Sequence, residues 1–171
     1  IPADVAGIDA FAARSDTPLG TWPSLLTLGG IWHEPSWPGS RSSVVVALFA
    51  LAAVFAVVSL AVRLIPRREV SLLLALGGLG LLVAGASASP GGREVVEWTV
   101  IHVPGAGLIR DSQKFIALPA AAVAIMAGRV VDRLVERRPS DVSSFTLRHV
   151  LAAGLVIAPL AALPDAPTTA G

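Results

Sequence analysis

Two long apolar runs dominate what this chain can become. Val44–Leu64 spans 21 residues with one charge, Arg63, near its end, and Val70–Ala88 spans 19 residues with none. About 18 or more uncharged apolar residues suffice for a helix to cross the roughly 30 Å hydrocarbon layer of a bilayer. Neither run alternates a polar face with an apolar one, as a helix on a water-soluble domain does. Composition agrees: 54% of the 171 residues are apolar, 15% are charged, and the mean hydropathy is +0.73. The expected fold class is all-α and integral to a membrane, with about four transmembrane helices in two hairpins and external interfacial loops.

The chain divides accordingly. Residues 1–42 form an external loop rich in Trp, Pro and Gly, and residues 43–88 a first hairpin, Val44–Leu64 and Val70–Ala88, joined by "IPRRE". Residues 89–114 form a second external loop. Residues 115–163 hold a second hairpin, Phe115–Val131 and roughly His149–Leu163, with Pro159 interrupting the last and shortest span. Residues 164–171, "PDAPTTAG", are a polar tail. Three spans instead of four would move that tail across the membrane.

Charge sets the expected orientation. The hairpin connections and adjoining helix ends hold eight basic and four acidic residues, and the remaining loops and tail hold five basic and eight acidic. Arg and Lys in short loops favour the cytoplasmic side, so the connections are expected inside and the loops outside. The sequence begins at Ile1 without a basic n-region and short apolar core, and it is expected to be one piece of a longer parent chain. The net charge of +1 gives no bulk attraction to nucleic acid. Without cysteine there is no disulfide or thiolate chemistry. Twelve Arg against one Lys, with no Asn or Tyr, fit a GC-rich and hence bacterial coding sequence.

No span carries an ionisable residue near its centre, where such groups mark ion paths and proton relays. Small residues recur every four positions: Gly80, Ala84 and Ala88, with Gly77 and Gly85 alongside; Ala120, Ala124 and Gly128; Ala52 and Ala56. Lipid tails are as apolar as Leu, so close backbone approach along such stripes is what brings helices together. Polar chemistry is left to the two external loops. These hold all four tryptophans, Trp22, Trp32, Trp37 and Trp98, either as headgroup-zone anchors or as walls of a cleft. His33, Glu34 and His102 do not make a metal site, which needs three or four ligands at defined geometry, and neither metal nor cofactor is expected. "GAG" at 105–107 follows no strand of a βαβ unit, so it is no dinucleotide loop.

The segment "REVVEWTVIHV" fits a helix or a strand by its spacing. After Pro104 comes a charge cluster, Arg110, Asp111 and Lys114. Asp111 can cap the third span. Arg110 and Lys114 then serve either as snorkelling anchors or as an anion site, a planar donor fork beside a mobile charge at a positive helix start.

Two stretches, "DAFAARSDTPLGTWPSLLTLGGIW" and "PGAGLIRDSQKFIALPAAAVAIMAG", about a third of the chain, resemble segments of large bacterial membrane proteins similar to the C-type glycosyltransferases. Those enzymes are polytopic and use polyprenyl-phosphate-linked sugars. The resemblance implies the bacterial inner membrane, a lipid-phosphate substrate, and Arg110 and Lys114 as contacts to its phosphate. It matches no catalytic acid to Asp4, Asp9 or Asp16. Three classes stay open: a glycosyltransferase-like segment, a non-catalytic scaffold or assembly subunit, and, from the shared layout of the two hairpins, a transporter segment.

Overall fold

The computed structural model describes residues 6–136 and 148–157. Every regular element among them is helical: α1 Ala6–Ala10, α2 Thr21–Leu26, short 3₁₀ turns at Glu34–Ser36 and Gly39–Ser42, α3 Val44–Leu64, α4 Arg67–Ala86, α5 Pro90–His102, an irregular 3₁₀ segment Ala106–Ile116, and α6 Ala117–Glu136. A short apolar helix, α7, covers Arg148–Ile157. Three helices are long and apolar enough to cross a membrane: α3, α4, and α6 with its 3₁₀ lead-in. They mark the chain as a multi-pass membrane protein. The expected fourth span is described only as α7. Its continuation past Ile157, the connection before Arg148, and the tail lie outside the described residues, as does Asp4.

Proline sets several boundaries. The residue before a proline is pushed out of the helical region. Ile65, before Pro66, is extended (φ −105°, ψ 150°) and ends α3, so the turn into α4 is only Ile65–Pro66. Val103, before Pro104, is likewise extended and ends α5. At the start of α5, Pro90 takes a position whose N–H would have no helical partner, and the Ser89 hydroxyl accepts the Gly92 N–H at 3.3 Å. This cap resolves "REVVEWTVIHV" as helix.

The bundle is built around α6. Both α3 and α4 pack along it, while α3 and α4 scarcely meet beyond their shared turn. The main core holds Val57 and Ala61 of α3, Val70 of α4, Ala122, Met126, Val130 and Leu134 of α6, and Ala152 of α7. At Gly80 α4 comes close to the start of α6: a β-carbon there would fall 2.6 Å from Pro119 Cδ and 2.8 Å from the Phe115 carbonyl oxygen of the 3₁₀ segment. Pro119, in the first turn of α6, costs no helical hydrogen bond.

The small-residue stripes sort unequally. Gly77, Gly80 and Ala84 face α6 and the segments around it, and Gly85 lies beneath the Trp22 ring. Ala52, Ala56, Ala88, Ala124 and Gly128 are exposed, so among the described residues those stripes meet no other helix. In α6 the packing line is Pro119, Ala122, Met126 and Val130, and the last three each lie two positions past a residue of the expected stripe.

The bundle has two unlike ends. The end of α3, the start of α4 and the end of α6 bring Arg63, Arg67, Arg68, Arg129 and Arg133 to one of them, where Arg129 bridges to Glu69 at 3.0 Å. The other end carries α1, α5 and the 3₁₀ segment, packed on one another, and α2, packed on α3 and α4. All four tryptophans are on these elements or the turns between them.

Candidate functional site

The leading segment folds into a cap. Its centre is a buried ion pair between Asp16 and Arg41, 25 positions apart, with both side chains less than one-tenth exposed. Arg41 Nε donates to Asp16 Oδ2 at 2.7 Å and Nη2 to Oδ1 at 3.1 Å, the two-pronged geometry that suits guanidinium and carboxylate. Nη2 also reaches Thr27 Oγ1 at 2.8 Å, and Asp16 Oδ2 accepts the Gly30 N–H at 3.0 Å. The guanidinium lies so close to Gly29 that no side chain would fit there. Thr17 and Ser24 hydroxyls extend the network at 3.0 Å. Sequence reasoning missed this knot. Its only signal was Ser, Thr and Gly crowded around one Asp, with a single Arg just before the first span.

The 3₁₀ segment lies against α4 and α5. It breaks at Asp111 (φ −95°, ψ 61°), between two helical stretches. Asp111 makes no cap for α6: Oδ2 pairs with Lys114 Nζ at 2.7 Å, and Oδ1 is buried without a hydrogen-bond partner. Lys114 itself is three-quarters exposed. Beneath them the Ser112 and Ser87 hydroxyls meet at 2.7 Å, tying the segment to the end of α4.

Arg110 is placed differently. Its guanidinium carbon stands 5.8 Å from the centre of the Phe11 ring, and its stem passes Gly7 of α1, where a β-carbon would fall 2.8 Å from Arg110 Cδ. Arg110 Nε is buried and has no acceptor. Among the described residues no carboxylate pairs with it, whereas Asp9 pairs with Arg93, Asp16 with Arg41, and Asp111 with Lys114. A buried guanidinium N–H without an acceptor costs about 1–3 kcal/mol, and a ligand oxygen recovers that only where the side chain turns Nε outward. Gly7 and Phe11, which hold Arg110 in place, had no readable signal beyond a glycine and an aromatic in the leading loop.

The tryptophans do not gather into one wall. Trp32 meets Phe11 edge-on at 5.0 Å, so Arg110, Phe11 and Trp32 form one continuous array. The Trp37 indole donates to the Ile31 carbonyl at 2.8 Å. Trp22 covers Gly85 of α4, and Trp98 stacks on His102 at 4.9 Å along exposed α5. His102 Nδ1 lies 2.7 Å from the Trp98 carbonyl and His33 Nδ1 2.7 Å from Ser36 Oγ. Among the described residues no three His, Asp or Glu side chains are grouped to hold a metal.

Beside this array is an open polar hollow of about 460 Å³, lined by Asp9, Ser87, Ser89, Arg93 and Glu97. Arg93 bridges Asp9 at 2.7 Å and Glu97 at 2.8 Å. The Glu97 hydrogen bond raises its pKa most, the Asp9 carboxylate adds to this, and desolvation opposes both. A second cavity, about 240 Å³ and apolar, lies between α3 and α4 with α6 behind it. No family model, curated protein or solved structure matches the chain.

Proposed function

We propose that this multi-pass membrane protein binds the phosphate of a lipid at the surface that carries α1, α5 and the 3₁₀ segment. In this reading Arg110 is the principal contact, Lys114 a weaker one at the rim, and Phe11 and Trp32 the flanking aromatic surface. The observation that carries it is that Arg110 has no carboxylate partner among the described residues and an Nε without an acceptor, next to spans that fix its height at the bilayer edge. Asp111 already neutralises Lys114, so Lys114 adds less. The substrate class that fits the resemblance in the sequence is a polyprenyl-phosphate-linked sugar, handled by a glycosyltransferase-like protein of the bacterial inner membrane.

The three described aspartates at the cap end of the bundle favour a binding role for this segment over a catalytic one. Asp9, Asp16 and Asp111 are each held in an ion pair, so none is free to act as a general base without breaking it. The same fact supports the second reading, a non-catalytic scaffold that holds lipid at this surface.

The test is binding of a short-chain polyprenyl phosphate to the detergent-purified protein, with the corresponding polyprenol as control. Loss of hydrogen bonds to a charged group costs about 1.5–3 kcal/mol, so Arg110→Ala is expected to weaken the phosphate roughly 10- to 100-fold and leave the polyprenol unchanged. Equal phosphate binding by Arg110→Ala and the parent protein overturns the proposal. Enzyme and scaffold readings part on sugar transfer by the full-length parent chain.

A further inference from the structure

We infer that the apolar cavity between α3 and α4 is a lateral binding site for one hydrocarbon chain of a membrane lipid. The two helices share the Ile65–Pro66 turn and diverge above it, each leaning on α6 and scarcely on each other. This leaves a V whose back wall is Ala122 and Met126 of α6. Its top is closed by Leu26 and Leu28 of the cap, whose α2 touches both arms. Leu28 is held there in the left-handed region (φ 62°), a conformation that a branched side chain adopts only under constraint by its surroundings.

The occupant follows from position, lining and size. Both arms are spans, so the mouth of the V opens within the lipid-facing surface, and Leu74 of α4 is exposed there. The walls are hydrocarbon, so a solvated ligand has no polar partners there. About 240 Å³ is the size of a single acyl or isoprenoid chain segment. Along α4 the site runs from Leu73 to Leu81, about 12 Å at 1.5 Å per residue. That is less than half of a roughly 30 Å core and lies over the middle of α4, so the site receives the distal part of a chain.

Gly78 makes the site testable. It lines the cavity, and a β-carbon there would meet nothing within 4 Å. Gly78→Leu therefore fills the V without displacing backbone. The experiment reconstitutes the protein in phosphatidylglycerol vesicles that carry a trace of phosphatidylglycerol with a mid-chain diazirine, and maps labelled residues by mass spectrometry. Val123 and Met126 should label at least as strongly as Ile125, which is half exposed on another face of the same helix. Gly78→Leu should cut the label at Val123 and Met126 at least fivefold and leave Ile125 unchanged. The unchanged Ile125 label reports that the helix is still inserted; if it falls, Leu74→Phe at the mouth replaces Gly78→Leu under the same criterion. No label at Val123 and Met126, as when a second copy or another span covers the V, overturns the inference, and so does a label there that neither variant reduces. Arg110→Ala should leave this labelling unaltered, so the two sites can fail separately.

Discussion

Replacing Asp16 with Ala tests whether the cap is a built structure pinned by one ion pair. Asp16 accepts two hydrogen bonds from Arg41 and one from the Gly30 N–H. Without its carboxylate, Arg41 stays buried with only neutral acceptors, the Thr27 hydroxyl and the Thr27 and Ser24 carbonyls. Removing one partner of a buried pair costs roughly 3–5 kcal/mol. Three surviving bonds place the cost near the lower figure, about 3 kcal/mol, or roughly a hundredfold rise in the opened population of the cap. Hydrogen exchange followed by mass spectrometry in micelles should show that rise in peptides covering residues 14–31, with no change in α4 or α6. Apolar replacement of both partners is often tolerated, so adding Arg41→Met should recover much of the protection. Exchange of 14–31 within twofold of the parent protein would refute the reasoning, because a dispensable ion pair cannot be what orders the loop.

Other perturbations test the bundle. Gly80→Leu drives a side chain into Pro119 and the Phe115 carbonyl, and overpacking of this kind costs about 1–3 kcal/mol; thermal unfolding in micelles should show it. Gly128→Leu, where nothing lies within 4 Å of an added β-carbon, should leave the melting temperature within error. Arg129→Ala removes a pair whose side chains are both 44% exposed, and such pairs contribute about 0–1 kcal/mol. Its melting curve should therefore overlay that of the parent protein, most closely at high salt.

The spans were legible because crossing a bilayer requires nothing subtler than length and the absence of charge. Val44–Leu64 emerged with the bounds the sequence indicated. The helix faces were less legible. In an Ala-rich segment every line down the helix carries small residues, so spacing alone cannot say which line meets a neighbour. What selects Ala122 and Met126 over Ala124 and Gly128 is the partner: Gly77 and Gly80 of α4 admit the wide ring of Pro119, and that contact fixes the rotation of α6. The same limit explains Asp111. A capping residue was expected where charge precedes an apolar run, but a 3₁₀ stretch intervenes before α6, and the carboxylate turns to Lys114.

The candidate site shows where sequence reasoning stops for a physical reason. Arg110 and Lys114 are neighbours in sequence and look equivalent, two cations at the rim of one span. Their environments separate them: Lys114 reaches into solvent with a carboxylate at 2.7 Å, whereas Arg110 lies against Phe11 and Gly7 with a buried donor unmet. That difference is made entirely by α1, which the cap delivers from the far end of the sequence. The Asp16–Arg41 pair holds the loop that follows α1, while Ile8 anchors α1 against Val96 and Val100 of α5. Loosening the pair should therefore weaken phosphate binding at Arg110 even though neither Asp16 nor Arg41 touches it, and Asp16→Ala should lower that affinity while hydrocarbon labelling at Met126 persists. Unaltered phosphate affinity in a protein whose cap has opened would mean that Arg110 needs no help from α1, and the burial of its Nε would then be irrelevant to binding.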